Sequence, residues 1–237
     1  MIIRLDKYLA DMGIGTRSEV KADIKKGKIN INGIVVKDAN LKIDTDKDKV
    51  LYQGNPIVYE EFEYYMLNKP AGVVSATTDK NDKTVVDLIT SKKKKDLFPV
   101  GRLDKDTEGL LIICNDGELC HNLLSPKKHI DKTYYVCLND TLSKEAEDRV
   151  CKGVYIEKDV MSMPATLERI TDDKVYLTIQ EGKFHQVKKM FHGVGLEVTY
   201  LKRVSMGGLK LDERLKEGEF RPLTKEEIEY LKGVNHD

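Results

Sequence analysis

The sequence predicts an α+β protein: a large mixed domain with a mostly antiparallel sheet, preceded by a small helix-and-hairpin module. Three observations lead there. Strand-length apolar runs and helical patterns are mixed without regular βαβ alternation. The opening residues read as two helices followed by a hairpin. The stretch YQGNPIVYEEFE (residues 52–63), with its Gly-Asn-Pro and acidic cluster, reads as a linker, giving domains over 1–58 and 62–237. The 237 residues, 40% of them hydrophobic, suit one mid-sized domain with a small attachment.

Taken in order, RLDKYLADMG spaces Leu5, Tyr8, Leu9 and Met12 as a helix that Gly13 can end. Thr16 and Glu19 form a T-x-x-E capping box for a second helix with Val20 and Ile24 on its apolar side. KININGIVVKD predicts two strands around Asn32-Gly33, a strong hairpin signal. YYMLNKPAGVVS reads as a strand entering a Pro-Gly turn, and TVVDLI as a short helix. LLIIC is a buried strand closed by Asn115-Asp116-Gly117. KTYYVCL, KVYLTIQ and EVTYLKRV predict further strands, and SKEAEDRVCKG and HQVKKMFHGVG predict helices. TKEEIEYL is a last helix, with Thr224 and Glu227 as its capping box.

The bulk numbers exclude several classes. No run of eighteen apolar residues is present, so no membrane span is expected. The start, MIIRLDKYLADMG, is amphipathic, carries acids and lacks the apolar stretch of a signal peptide. The four cysteines (114, 120, 137, 151) show no CxxC pair and read as reduced thiols of a cytoplasmic protein. His185 and His192 lie seven apart without a third ligand. No metal site is expected.

Net charge is zero, with 40 basic and 40 acidic residues, but the charges are clustered. Residues 1–37 hold eight Lys/Arg against four Asp/Glu, and residues 183–203 hold five against one. Residues 38–63 and 212–237 are acidic, and Lys92 to Lys95 is a four-lysine run. Such runs are usually solvated faces. A phosphate-binding surface, however, needs local positive potential, not global charge.

PVGRLDKDTEGLLIICND, residues 99 to 116, concentrates carboxylates before a buried strand. Asp104, Asp106, Glu108 and Gly109 fit the opening of a calcium loop, but the twelfth position is Asn115, where a bidentate glutamate is needed. The residues between, Leu110 to Cys114, form a hydrophobic strand. The remaining readings are solvated turn acids or a chemical reagent.

The first forty residues resemble the alpha-L RNA-binding domain named after a small-subunit ribosomal protein (ribosomal-protein-S-four type). That resemblance implies Arg4, Lys7, Arg17, Lys21, Lys25 and Lys28 as phosphate contacts. GRLDKDTEGLL resembles the active-site motif of pseudouridine synthases, in the branch that modifies ribosomal RNA and carries the alpha-L domain. LNKPAGVVS, PVGRLDKDTEGLLIICNDGEL, KTYYV and EGKFHQVKKMF resemble further family blocks in the right order, so the likeness covers nearly the whole chain. HQVKKM following EGKF is similar to the RsuA branch, which acts on small-subunit (16S) rRNA.

The resemblance implies a reaction in which a uridine N-glycosidic bond breaks, the uracil turns, and the base rejoins through carbon, with no cofactor and no metal. It implies Asp104 as the essential residue, Tyr134 against the uracil, and Lys188 as the basic partner of Asp104. Many relatives have arginine at that last position, and lysine lacks the bidentate fork. Arg102 is implied to enter the RNA where the base has left, with His185 and Gln186 as further RNA contacts. Tyr135 should point away from Tyr134, because strand side chains alternate; Tyr135 and Tyr176 are expected in the core. Residues alone leave open which atom Asp104 attacks. The partner implied is small-subunit rRNA or an assembling subunit, for a monomeric enzyme. The rival expectations are the same chemistry on large-subunit rRNA, or a catalytically silent RNA-binding assembly factor.

Overall fold

The structure is a computed structural model describing residues 1–91 and 93–233; Lys92 of the lysine run and residues 234–237 lie outside the described residues. The chain divides into two compact units. One comprises Met1–Glu63 with Thr90–Asp96, the other Tyr64–Ile89 with the chain from Leu97 onward.

The first unit contains β1 (Ile2–Arg4), α1 (Leu5–Asp11), α2 (Arg17–Lys25), β2 (Ile29–Ile31), β3 (Ile34–Val36), β4 (Lys42–Asp44), β5 (Val50–Tyr52) and β6 (Asn55–Ile57). The predicted capping box starts α2, with Thr16 accepting from the Glu19 backbone and Glu19 from that of Thr16. Leu5, Tyr8, Leu9, Val20, Ile24, Ile29, Ile43 and Val50 close its core. The linker expectation is corrected at its start. Gln53-Gly54 is a hairpin turn between β5 and β6, so regular structure runs to Ile57. Tyr59 then stacks on Tyr8 with ring centroids 5.2 Å apart, and the Tyr8 hydroxyl donates to the Ile57 carbonyl. Lys93, from the lysine run, is buried rather than solvated. Its ammonium donates to the Glu60 and Glu61 carbonyls and lies 5.4 Å from the Tyr59 ring centroid.

The second unit contains β7 (Tyr64–Lys69), β8 (Phe98–Pro99), β9 (Glu108–Cys114), α3 (Gly117–Leu124), β10 (Lys132–Leu138), α4 (Lys144–Lys152), β11 (Tyr155–Glu157), β12 (Val160–Met161), β13 (Thr166–Arg169), β14 (Lys174–Ile179), α5 (Gln186–His192), β15 (Val198–Met206), β16 (Leu209–Lys210), β17 (Phe220–Pro222) and α6 (Lys225–Gly233). TVVDLI forms only a 3₁₀ turn over Val86–Leu88. The helix α3 was not expected; Asp116 caps it by accepting from the Leu119 backbone.

The sheet order is β13-β14-β10-β15-β9-β7-β17, with β8 and β16 on the side. Its pairings are antiparallel except β15 with β9. β9 is buried on both faces. Leu111 and Ile113 join the core that holds Tyr134, Val187 and Phe191, while Leu110, Ile112 and Cys114 join Leu119, Leu123 and Leu231. Two-sided burial explains why LLIIC is a continuous apolar run. No helix among the described residues is long and apolar enough to cross a membrane.

Candidate active site

The carboxylate loop lies between β8 and β9, and its end is fixed by a close approach of backbones. Gly109 has φ +99°, and a Cβ there would stand 2.2 Å from the Arg203 carbonyl oxygen of β15. Only glycine fits that position, which accounts for the glycine after the acids. Behind the loop lies Lys69, the last residue of β7, fully buried. Its ammonium donates to the carbonyls of Pro70 (3.1 Å), Asp104 (3.0 Å), Lys105 (3.2 Å) and Thr107 (2.8 Å). Burial draws the Lys69 pKa down to about 8, against the pull of Asp106, Asp104 and Glu108. Ser75 adds a two-way clasp, donating to the Leu103 carbonyl at 2.8 Å and accepting from its N–H at 3.0 Å. The Gly72 N–H donates to the Lys105 carbonyl at 2.7 Å. KPAGVVS thus grips the loop by its backbone and not through the acidic side chains. Lys69 and Ser75 were missed in the sequence. The available signal was a lysine ending a largely buried strand, directly before Pro70.

The opposite wall is the turn 181–186 and the start of α5. Lys188 donates to both Asp106 oxygens, at 2.6 and 2.8 Å, and stands 3.5 Å from Asp104. The expected Asp104–Lys188 pair is therefore present as the longer arm of a three-membered cluster. Lys188 holds the Asp106 carboxyl below the ordinary carboxylate range. His185 Nε2 lies 3.6 Å from Asp104 on its other oxygen. Lys189 turns elsewhere, to Glu157 at 2.6 Å.

Between these walls is a cleft of about 410 Å³, open solvent included, lined by Arg102, Asp104, Thr107, Tyr134, Lys183, His185 and Gln186 with apolar Leu103, Ile179, Val187 and Leu201. Tyr134 is 7% exposed and joins the core beneath it. Tyr135 points to the other face of the sheet. The expectation of core packing for Tyr135 and Tyr176 is corrected. Both are half-buried, their rings 5.8 Å apart, with Tyr200 a further 6.1 Å from Tyr135. Gln186, expected as an RNA contact, lines the cleft but is engaged within the turn. It is 4% exposed, accepts from the Lys183 N–H at 2.9 Å and donates to Glu181 at 2.6 Å, so it holds the turn.

In the first unit, half of the basic set is engaged internally. Arg4 clasps buried Asp6 through Nε (3.0 Å) and Nη2 (2.7 Å), which holds that carboxyl below its ordinary range. Lys21 lies 3.7 Å from the same acid, and Lys28 pairs with Asp23 at 2.7 Å. Lys7, Arg17 and Lys25 are exposed and pair with no acid among the described residues. No cluster of His, Cys, Asp and Glu among the described residues could hold a metal ion.

A carboxylate beside a fixed cation, over an aromatic floor, suits chemistry on a planar base. The comparisons with known proteins agree with that reading. The RNA pseudouridylate synthase family matches residues 63–193, and the S4 domain matches residues 3–50. The chain belongs to the RNA pseudouridylate synthase family. It is 51% identical over 234 residues to the uncharacterized RNA pseudouridine synthase YtzG of Bacillus subtilis (strain 168), covering 97% of this chain and 98% of that protein. It is 40% identical over 229 residues to ribosomal small subunit pseudouridine synthase A of Escherichia coli (strain K12), covering 95% and 98%. A crystal structure of a pseudouridylate synthase superposes with a TM-score of 0.69 at 38% identity, covering 97% of this chain and 99% of that one. The α+β fold of this pseudouridine synthase, with its N-terminal S4 domain, is the one the sequence suggested.

Proposed function

We propose that this pseudouridine synthase isomerises a specific uridine of small-subunit (16S) rRNA, with Asp104 as the essential carboxylate. The observation that carries the proposal is the Asp104–Lys188–Asp106 cluster at the edge of a cleft floored by Tyr134. A flipped uracil lies against Tyr134, which repays part of the few kcal/mol that unstacking costs. Lys188 orients Asp104 by facing it at 3.5 Å, while Asp106 fixes Lys188 from the solvent side. An ionised aspartate there can attack the sugar or the base as the glycosidic bond breaks. Arg102, exposed at the rim, fills the gap left in the RNA. Lys7, Arg17 and Lys25 of the S4 domain meet phosphates, with Arg4, Lys21 and Lys28 acting chiefly to hold that domain's shape. The substrate assignment is supported by the 40% identity to the Escherichia coli small-subunit enzyme. The enzyme acts as a cytoplasmic monomer without cofactor.

The test is tritium release from RNA labelled at uridine carbon 5, comparing small-subunit rRNA, alone and with early ribosomal proteins, with large-subunit rRNA. Release from small-subunit material only, lost in Asp104→Asn, is the expected result. Release from large-subunit rRNA alone would move the substrate. RNA binding without release from any of them would turn the reading into a silent assembly factor.

A further inference from the structure

The turn 181–186 carries an aromatic side chain that does not line the uridine cleft. Phe184 is 66% exposed, although its sequence neighbours Lys183 and His185 both line the cleft. Its ring is not loose. It stacks on the His185 imidazole, with centroids 3.8 Å apart and planes inclined by 20°. His185 in turn lies 3.6 Å from Asp104, so the two rings form a pile that extends outward from the carboxylate. The turn itself is held in place. His185 has φ 53°, a left-handed conformation that costs energy in a non-glycine residue, and Gln186 anchors the chain immediately behind it. Lys189 stands 5.1 Å from the Phe184 ring centroid and is itself fixed by Glu157. His185 stacks on the ring and the Lys189 ammonium lies over it, yet Phe184 keeps 66% exposure, so much of the ring is open to solvent.

We infer that Phe184 is a stacking platform for the nucleobase adjacent to the target uridine in the RNA. The inference rests on the reading of the neighbouring cleft as the uridine site. When a uridine leaves its stack, the next base loses a neighbour on one side. The exposed ring of Phe184, one ring beyond the reactive carboxylate, replaces that neighbour, with the Lys189 side chain giving way where it lies over the ring. Stacking on an aromatic face is tolerant of base identity, so Phe184 adds affinity rather than choice of sequence. A single exposed aromatic is ordinary on a protein surface. Phe184 differs in being pre-stacked, held by a strained turn, and joined to the cleft.

The chain contains no tryptophan, so Phe184→Trp creates a lone fluorescent reporter at the site. Tyr230→Trp, on α6 at a position 54% exposed, is the control. Titration with small-subunit rRNA should quench the reporter at 184 strongly and leave that at 230 nearly unchanged. In steady-state kinetics Phe184→Ala and Phe184→Leu should both raise KM, roughly five- to hundredfold, the range of one base–aromatic stack, with kcat within about threefold. Equal quenching of the two reporters would overturn the inference. So would a normal KM for Phe184→Leu, which keeps apolar bulk but has no π face, or a loss confined to kcat, which would mean that the ring only positions His185. If no variant, wild type included, forms pseudouridine while the reporter at 184 alone is quenched, the stack stands and the reaction assignment falls.

Discussion

The two walls of the cleft are built in different ways. The carboxylate wall is held mainly through its backbone: Lys69 donates to four carbonyls and Ser75 clasps Leu103, while of the acids Glu108 accepts from the Tyr200 hydroxyl. The cationic wall is held through side chains, with Gln186, Glu181 and Asp106 fixing the turn and Lys188. On the proposed function, the difference falls where a reactive group has to remain accessible. Asp104 is held through its carbonyl and its oxygens meet Lys188 and His185 only at 3.5 and 3.6 Å, whereas Lys188 is already spent on Asp106 and serves as a fixed charge.

The contrast is tested most severely at the two acids that share Lys188. Asp104→Asn keeps shape and removes charge, and should lower turnover by at least about a thousandfold while RNA binding persists. Asp106→Asn should cost only about tenfold, because it loosens Lys188 without touching the reacting atoms. Equal losses in single-turnover assays would mean that the two carboxylates act as one unit and that the distinction between reagent and support is wrong.

The next largest effect is expected at Lys69. Lys69→Met leaves four carbonyls without their common donor and should destabilise the protein by about 2–4 kcal/mol in urea unfolding. Its titration separates scaffold from stability. Burial holds the folded pKa near 8, below the ordinary lysine value. Between those two values the unfolded chain binds the extra proton, so this group's contribution to stability rises with pH. The neutral amine, however, has one donor fewer for the loop. Activity should therefore fall through about pH 8 while unfolding free energy from this group does not. A parallel fall of both would assign the activity limb to global unfolding.

Much of this was legible beforehand because it depends on local pattern. The capping boxes at Thr16–Glu19 and Thr224–Glu227, the Asn32-Gly33 hairpin and the buried run LLIIC need only neighbours in sequence. The cluster of Asp104 and Lys188 was reached through motif resemblance, not spacing, since 84 positions separate them. What stayed hidden depends on distant burial. Nothing local marks Lys69 as the hub of a loop 35 to 38 residues away. Nor does composition tell that Gln186 faces inward or that the tyrosines of β10, β14 and β15 gather on the outer face. The β5–β6 hairpin was hidden by Gly54 and Pro56, which read as linker residues but serve a turn and an outer strand.

That outer tyrosine face gives a comparison across a single strand. Tyr134→Ala removes the floor of the cleft and should lower kcat/KM by about a hundredfold, whereas Tyr135→Ala trims a half-buried surface cluster and should stay within about threefold. Comparable losses would indicate that the outer face also meets RNA.

The smallest effect is expected in the S4 domain, where the same distinction between free and engaged groups recurs for cations. Lys7, Arg17 and Lys25 project without acidic partners among the described residues, whereas Arg4 and Lys28 are committed to Asp6 and Asp23. A phosphate contact releases counterions, so each true contact contributes close to one unit to the slope of log affinity against log salt. Replacing Lys7, Arg17 and Lys25 by glutamine should flatten that slope by about two to three units. Replacing Arg4 and Lys28 should change it little and instead lower the stability of the domain, because buried Asp6 would lose its partner. An equal flattening from the second pair would show that ion pairs inside this domain open to receive RNA, and engagement in the free protein would then be no guide to what a cation does in the complex.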